Sequence, residues 1–142
     1  MFYLSSLCLL LSFSLLLVYA VETVTSKADF EQLLADERVV VVEFMSSMCG
    51  SCKEFAPIFE TFSASVKSAI VAKIDIDNPD GLAIAQSTGA LEQGIPAVAV
   101  FASKTPHFVM GGELKTKKQL LAEVRSKVGG LSRRDDGFYI KN

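Results

Sequence analysis

Cys49 and Cys52 stand three positions apart in the stretch FMSSMCGSCKEFAP, residues 44–57. A thiol pair at that spacing supports three kinds of chemistry: half of a zinc site, a short structural staple, or a dithiol that cycles between reduced and disulfide forms. Zinc asks for two more ligands, and beyond carboxylates the chain after residue 20 offers only His107. A staple across so short a loop constrains little of the unfolded chain. Position favours redox exchange, because the pair falls where a strand-like VVVVEF run gives way to a helical pattern. Unpaired N–H groups and the helix dipole at such a junction favour a thiolate. On this reading Cys49 is the attacking nucleophile. Cys52, one turn along, resolves the mixed disulfide, and Gly50 keeps the turn tight.

The surrounding elements alternate. SKADFEQLLADE begins on Ser26 with Asp29 three residues on, like a capping box, and places Phe30, Leu33 and Leu34 at helical spacing. Val39 to Val42 read as a strand buried on both faces. Phe55, Ile58, Phe59, Phe62 and Val66 predict a helix from Cys52 to about Ser68, with Pro57 as a kink. IVAKIDI is a second strand, and Asn78-Pro79 caps and opens a short helix through Ser87. PAVAVFAS and HFVMGG are further strands, joined as a hairpin across residues 103–106. TKKQLLAEVRSKV is a helix with Thr116 and Gln119 at capping-box spacing. The order argues for an α/β fold, a mixed sheet with helices on both faces and parallel early strands. Residues 129–142 show no periodicity and are expected to be mobile.

The chain has 142 residues, room for one domain, with a formal net charge of −2. That balance excludes an electrostatic nucleic-acid partner, and no basic run exceeds two residues. Residues 1–20 carry no charge, and their apolar run has the length of a signal-peptide core. Val18-Tyr19-Ala20 suits cleavage after Ala20, although MFYLSS lacks the usual Lys or Arg. The expectation is a cleaved leader at 1–20 and a domain at 21–128. An uncleaved anchor is the alternative, and it would supply the chain's one membrane span. Cleavage would also remove Cys8, leaving Cys49 and Cys52 in an oxidising compartment.

Read as a whole, residues 21–128 resemble the thioredoxin superfamily, and in particular the lumenal protein disulfide isomerase domains. VVEFMSSMCGSCKEFAP resembles the family's strand and active-site stretch, with Glu43 six residues before Cys49, Lys53 after Cys52, and Pro57. VAKIDIDNP matches the next strand with Lys73, GIPAVAVF the cis-proline segment with Pro96, and MGGELKTKKQLLAEV the last strand and helix. The resemblance implies a thioredoxin-like fold with a central mixed sheet of four to five strands. It also implies a thiol–disulfide oxidoreductase, isomerase- or oxidase-like, acting on protein substrates. No metal or organic cofactor is implied. The partners would be substrates with thiols or disulfides, and a dithiol protein or glutathione that regenerates the pair.

Site residues follow position by position. A buried Glu43 would have a raised pKa and exchange a proton with Cys52, unless it reaches water at the strand end. Lys73 either tunes Glu43 or lies along the surface. Ile95-Pro96, if cis, leaves the Ile95 backbone to pair with an extended substrate beside Cys49; a trans bond would merely open a strand. Met48, Gly50 and Ser51 complete the expected substrate contacts. The departures are equally clear. There is no tryptophan, Met45 and Met48 take places where the family usually shows aromatics, and the inter-cysteine pair is Gly50-Ser51. Without a histidine there, the Cys49 thiolate loses one source of stabilisation, so a weaker oxidant than an isomerase is expected. Two alternatives follow: a binding or chaperone module with little turnover, and a secreted reductant. The resemblance points to the endoplasmic reticulum lumen, while YIKN is not a KDEL-type signal, which leaves secretion open.

Overall fold

Four consecutive valines have one stable place in an α/β domain, the middle of a sheet covered on both faces. In the computed structural model, which describes residues 20–142, they enter strand β2 (Val40–Met45), and Val39 to Val42 are fully buried. β2 pairs in parallel with β3 (Ile70–Asp75) and antiparallel with β4 (Ala97–Phe101). The edges are β1 (Glu22–Val24), parallel to β3, and β5 (His107–Gly111), antiparallel to β4. The result is a mixed sheet in the order β1-β3-β2-β4-β5, with the parallel early pair and the final hairpin that the sequence predicts.

The period of two along β2 divides the core. Val40, Val42 and Phe44 face α1 (Lys27–Ala35) and α3 (Pro79–Thr88), with Ile74, Ala99 and Phe101. Val39 and Val41 face α2 (Gly50–Ser65) and α5 (Lys117–Val128), with Val71, Val98 and Leu120. The helix α2 lays Phe55, Phe59 and Phe62 onto the second face with successive ring centroids 5.9 and 5.6 Å apart. Each such side chain contributes about 1.5–3 kcal/mol by leaving water. Glu43 follows Val41 on that same face, so the alternation carries a carboxylate beneath α2.

Local signals agree with the elements they predict. Thr116 and Gln119 form a full capping box at α5, and Asn78 accepts from the Gly81 N–H at 2.6 Å with Pro79 in the first turn. Ser26 caps α1, but Asp29 turns to the Thr25 hydroxyl at 2.9 Å, so that box is only half made. Pro57 lies within α2 with its ring exposed, and the helix continues past it to Ser65. Two elements have no counterpart in the sequence reading: β1, too short for a period, and the one-turn α4 (Ala90–Gln93). The glycines at 111–112 allow a close approach. A Cβ on Gly111 would lie 2.7 Å from the Gln93 carbonyl oxygen, which leads into the Gly94-Ile95-Pro96 turn.

Residues 129–142, expected to be mobile, make contacts that no sequence period announces. That segment folds back across the end of the sheet farthest from the cysteines. Tyr139 accepts from the Val39 N–H and donates to the Ser68 carbonyl, both at 2.9 Å, and Lys141 donates to the Glu37 carbonyl at 2.7 Å. Phe138 is buried in the α1-side core, and the Lys141 ammonium donates to the carbonyls of Leu34 and Asp36 at the α1 C-terminus. These contacts are isolated bridges and single anchors, which leave no period to read. The expected leader at 1–20 lies outside the described residues, apart from Ala20. No helix among the described residues is long and apolar enough to cross a membrane. Phe138→Ala is expected to cost about 3 kcal/mol in urea unfolding; a loss within about 0.5 kcal/mol would mark the tail as loosely attached.

Candidate active site: the Cys49–Cys52 dithiol

β2 ends at Met45 and α2 begins at Gly50, so residues 46–49 form the turn that delivers Cys49. Cys49 is the N-cap of α2, in extended backbone, and its Sγ accepts from the Cys52 N–H at 3.1 Å. The two cysteines are joined as a disulfide with Cα atoms 5.2 Å apart. They differ sharply in access. Cys49 is half-buried at the surface, whereas Cys52 is 3% exposed. A thiolate arriving from solvent therefore reaches Cys49 first. After reduction the same N–H and the helix N-terminus stay aimed at the Cys49 sulfur, which favours its ionised form. Ser51 Oγ lies 3.3 Å from Cys49 Sγ, so its hydroxyl can donate to that thiolate where the expected histidine is missing.

On the α2 face of β2 lies Glu43, only 2% exposed. Its register partner on β3 is Lys73, whose Nζ stands 3.7 Å from Glu43 Oε2 and 5.3 Å from the centre of the Phe59 ring. That distance is an ion pair without a hydrogen bond, and among the described residues Glu43 Oε2 has no hydrogen-bond partner. Burial raises the Glu43 carboxyl from its ordinary 4.5 to about 7, with the Lys73 charge opposing the rise. A carboxyl at that value can hold or accept a proton near neutrality. The water-exposed alternative for Glu43 is not what the fold builds.

The Ile95–Pro96 bond is cis, Pro96 is buried, and the Ile95 carbonyl oxygen lies 3.9 Å from Cys49 Sγ. Met48 is 87% exposed, the most exposed large apolar side chain among the described residues, and Gly50 is exposed beside it. Cys49, Cys52, Ser51, Ile95 and Pro96 are thus brought together, with Glu43 and Lys73 on the α2 face of the sheet. His107 lies exposed at the start of β5. One constellation escaped the sequence reading. Ser46 and Ser47 bind Asp77, which lies 30–31 residues away, just beyond β3. No spacing rule links those positions.

Comparison with known proteins agrees with this geometry. The sequence pattern of the family described as Thioredoxin matches residues 21–126. A thioredoxin of Mycoplasmoides gallisepticum is 34% identical over 97 residues, covering 65% of this chain and 93% of that protein. The thioredoxin of Malassezia sympodialis superposes with a TM-score of 0.62 at 27% identity, over 75% of this chain and 90% of that one. The first thioredoxin domain of mouse protein disulfide-isomerase A4 gives 0.59 at 27%, over 76% of this chain and 75% of that one. The chain belongs to the thioredoxin family. It is a thiol–disulfide oxidoreductase whose redox-active pair is Cys49–Cys52.

Two measurements bear on the site. Glu43 is raised when folded, so its contribution to stability is full below about pH 4.5 and is lost as pH rises through about 7. Glu43→Gln should therefore match the parent near pH 4 and exceed it at pH 8, on the order of 2–3 kcal/mol, in urea unfolding of the oxidised protein. Equal stability at both pH values would mean that the carboxyl is solvated. Ser51→Ala should slow alkylation of reduced Cys49 at pH 7 by about two- to fivefold and move its pH profile upward.

Proposed function

We propose that this protein is a secretory-pathway oxidoreductase that exchanges disulfides with extended protein segments, acting as an isomerase or oxidase in the endoplasmic reticulum lumen. The observation that carries the proposal is the unequal access of the two sulfurs: Cys49 faces solvent at a helix N-terminus beside the Ile95–Pro96 backbone, and Cys52 is buried behind it. The uncharged apolar leader at residues 1–20 supports the compartment.

As an oxidant, the disulfide form receives a substrate thiolate at Cys49 Sγ. The Cys49–Cys52 bond breaks, a substrate–Cys49 mixed disulfide forms, and Cys52 leaves with the electron pair, to be protonated from Glu43. A second substrate thiolate then attacks the substrate sulfur and expels Cys49 as a thiolate. Two electrons have passed to the protein, and the substrate holds a new disulfide. In reverse, the Cys49 thiolate opens a substrate disulfide, Glu43 takes the Cys52 proton, and Cys52 attacks Cys49 to release the reduced substrate. Burial raises the Glu43 carboxyl to about 7 between those roles, and the Lys73 charge limits that rise. The Ile95 backbone lies beside the substrate chain, and Met48, Gly50 and Ser51 meet its side chains, the exposed thioether adapting to varied apolar groups. A dithiol protein or glutathione resets the pair.

A second reading, a thioredoxin-type reductant, draws support from the thioredoxins among its relatives. The reduction potential separates the two. A value of about −180 to −220 mV in graded glutathione buffers fits the lumenal role, and about −270 mV fits the reductant. Cys52→Ala should accumulate mixed disulfides through Cys49 that are resolved by added dithiol. A secretory lysate that yields none would overturn exchange on protein substrates.

A further inference from the structure

The turn that presents Cys49 contains two serines and a methionine, residues with no stiffness of their own, yet the N–H groups of Ser47, Met48 and Cys49 are all occupied. Ser47 donates through its backbone N–H at 2.9 Å and its hydroxyl at 2.6 Å to Asp77 Oδ2. The Ser46 hydroxyl donates to Asp77 Oδ1 at 2.6 Å and accepts from the Met48 N–H at 3.1 Å. The Cys49 N–H closes the turn on the Ser46 carbonyl at 3.3 Å. Asp77 is itself held, its N–H donating to Asp75 Oδ1 at 2.8 Å, and the next residue back, Ile76, donates to the Met45 carbonyl at 2.9 Å. One carboxylate therefore takes three bonds from two consecutive residues, and Ser46 relays it to the residue before the nucleophile. Ser46 is 6% exposed, one of the few buried polar side chains among the described residues.

We infer that Asp77 is a positioning residue: through Ser46 and Ser47 it clips the turn so that Cys49 Sγ stays on the Cys52 N–H and the α2 N-terminus. The role deepens the proposed exchange reaction and rests on Cys49 being its nucleophile. Charge-assisted bonds are the stronger kind, and bonds from Ser46 and Ser47 are also what hold the Asp77 carboxyl below its ordinary range. The carboxylate has two opposing influences on Cys49. Its negative charge disfavours a nearby thiolate, while its bonds hold the sulfur where the thiolate is stabilised. The two have opposite signs in experiment.

The test is the pH profile of iodoacetamide alkylation of Cys49 in the reduced, full-length protein, which needs no substrate. Ser46→Ala and Asp77→Asn should each slow alkylation at pH 7 about three- to tenfold and move the profile to higher pH. The double variant should be no slower than the worse single one, since both break one clip, and Ser46→Thr should restore the rate. If Asp77 acted only as a charge, Asp77→Asn would move the profile to lower pH and Ser46→Ala would leave it in place; either result overturns the clip. Loss of unfolding stability with an unchanged profile also overturns it, leaving a structural role only. If Asp77→Asn does not fold, Ser46→Ala and Ser47→Ala, which leave the carboxylate in place, decide the matter by the same shift. Failure of the parent to exchange with a protein disulfide refutes the function while this profile still reports on the clip.

Discussion

Everything in the molecule hangs on a strand that is buried from Val40 to Phe44. β2 is paired on both edges and covered on both faces, so its direction, register and end point are held by the whole domain. What leaves it is the dithiol turn. A nucleophile that must meet a helix N-terminus within a few tenths of an ångström gains from starting on such a rigid element, and the buried phenylalanines of α2, Phe55, Phe59 and Phe62, brace it from the other side. The one polar group admitted to that strand, Glu43, is held where burial brings a carboxyl into the range of a proton carrier. The same burial that lends β2 its rigidity therefore tunes the site.

The two sulfurs show how small geometric differences become chemical roles. They are separated by one helical turn, yet Cys49 caps the helix and Cys52 lies inside its first turn against the core. Helix dipole, N–H donation and access all favour the first as the point of attack. The inter-cysteine dipeptide is Gly50-Ser51, and Ser51 places its hydroxyl 3.3 Å from the Cys49 sulfur. Around the turn, Ser46 and Ser47 exploit an acidic residue from the neighbouring β3 loop. A turn of flexible residues is thus ordered by side-chain bonds and by the apolar layer below it.

Much of this is legible in the sequence alone. The valine run, the period-three-and-four spacing of Phe55, Phe59 and Phe62, the Asn78-Pro79 start and the Thr116–Gln119 box are local signals, and each became the predicted element. The position of Cys49 at a strand-to-helix junction followed from the same periods. Elements held by a few long-range bonds were not legible. β1 is three residues long and owes its strand character to β3, and the tail earns its order from Val39, Ser68 and the α1 carbonyls. Neither has a repeat that a sequence could display, because their partners lie far along the chain.

The sequence by itself determined the dithiol, its junction, the helix and strand order and the carboxylate six residues upstream, since each depends on neighbours within a turn or a pleat. Only the tertiary structure decided that Glu43 is buried with an ion pair too long to hydrogen-bond, that Ile95 stands against Cys49, and that Asp77 reaches the serine turn. Those relations arise between strands and loops tens of residues apart, where burial and distance are set by how the sheet closes on itself.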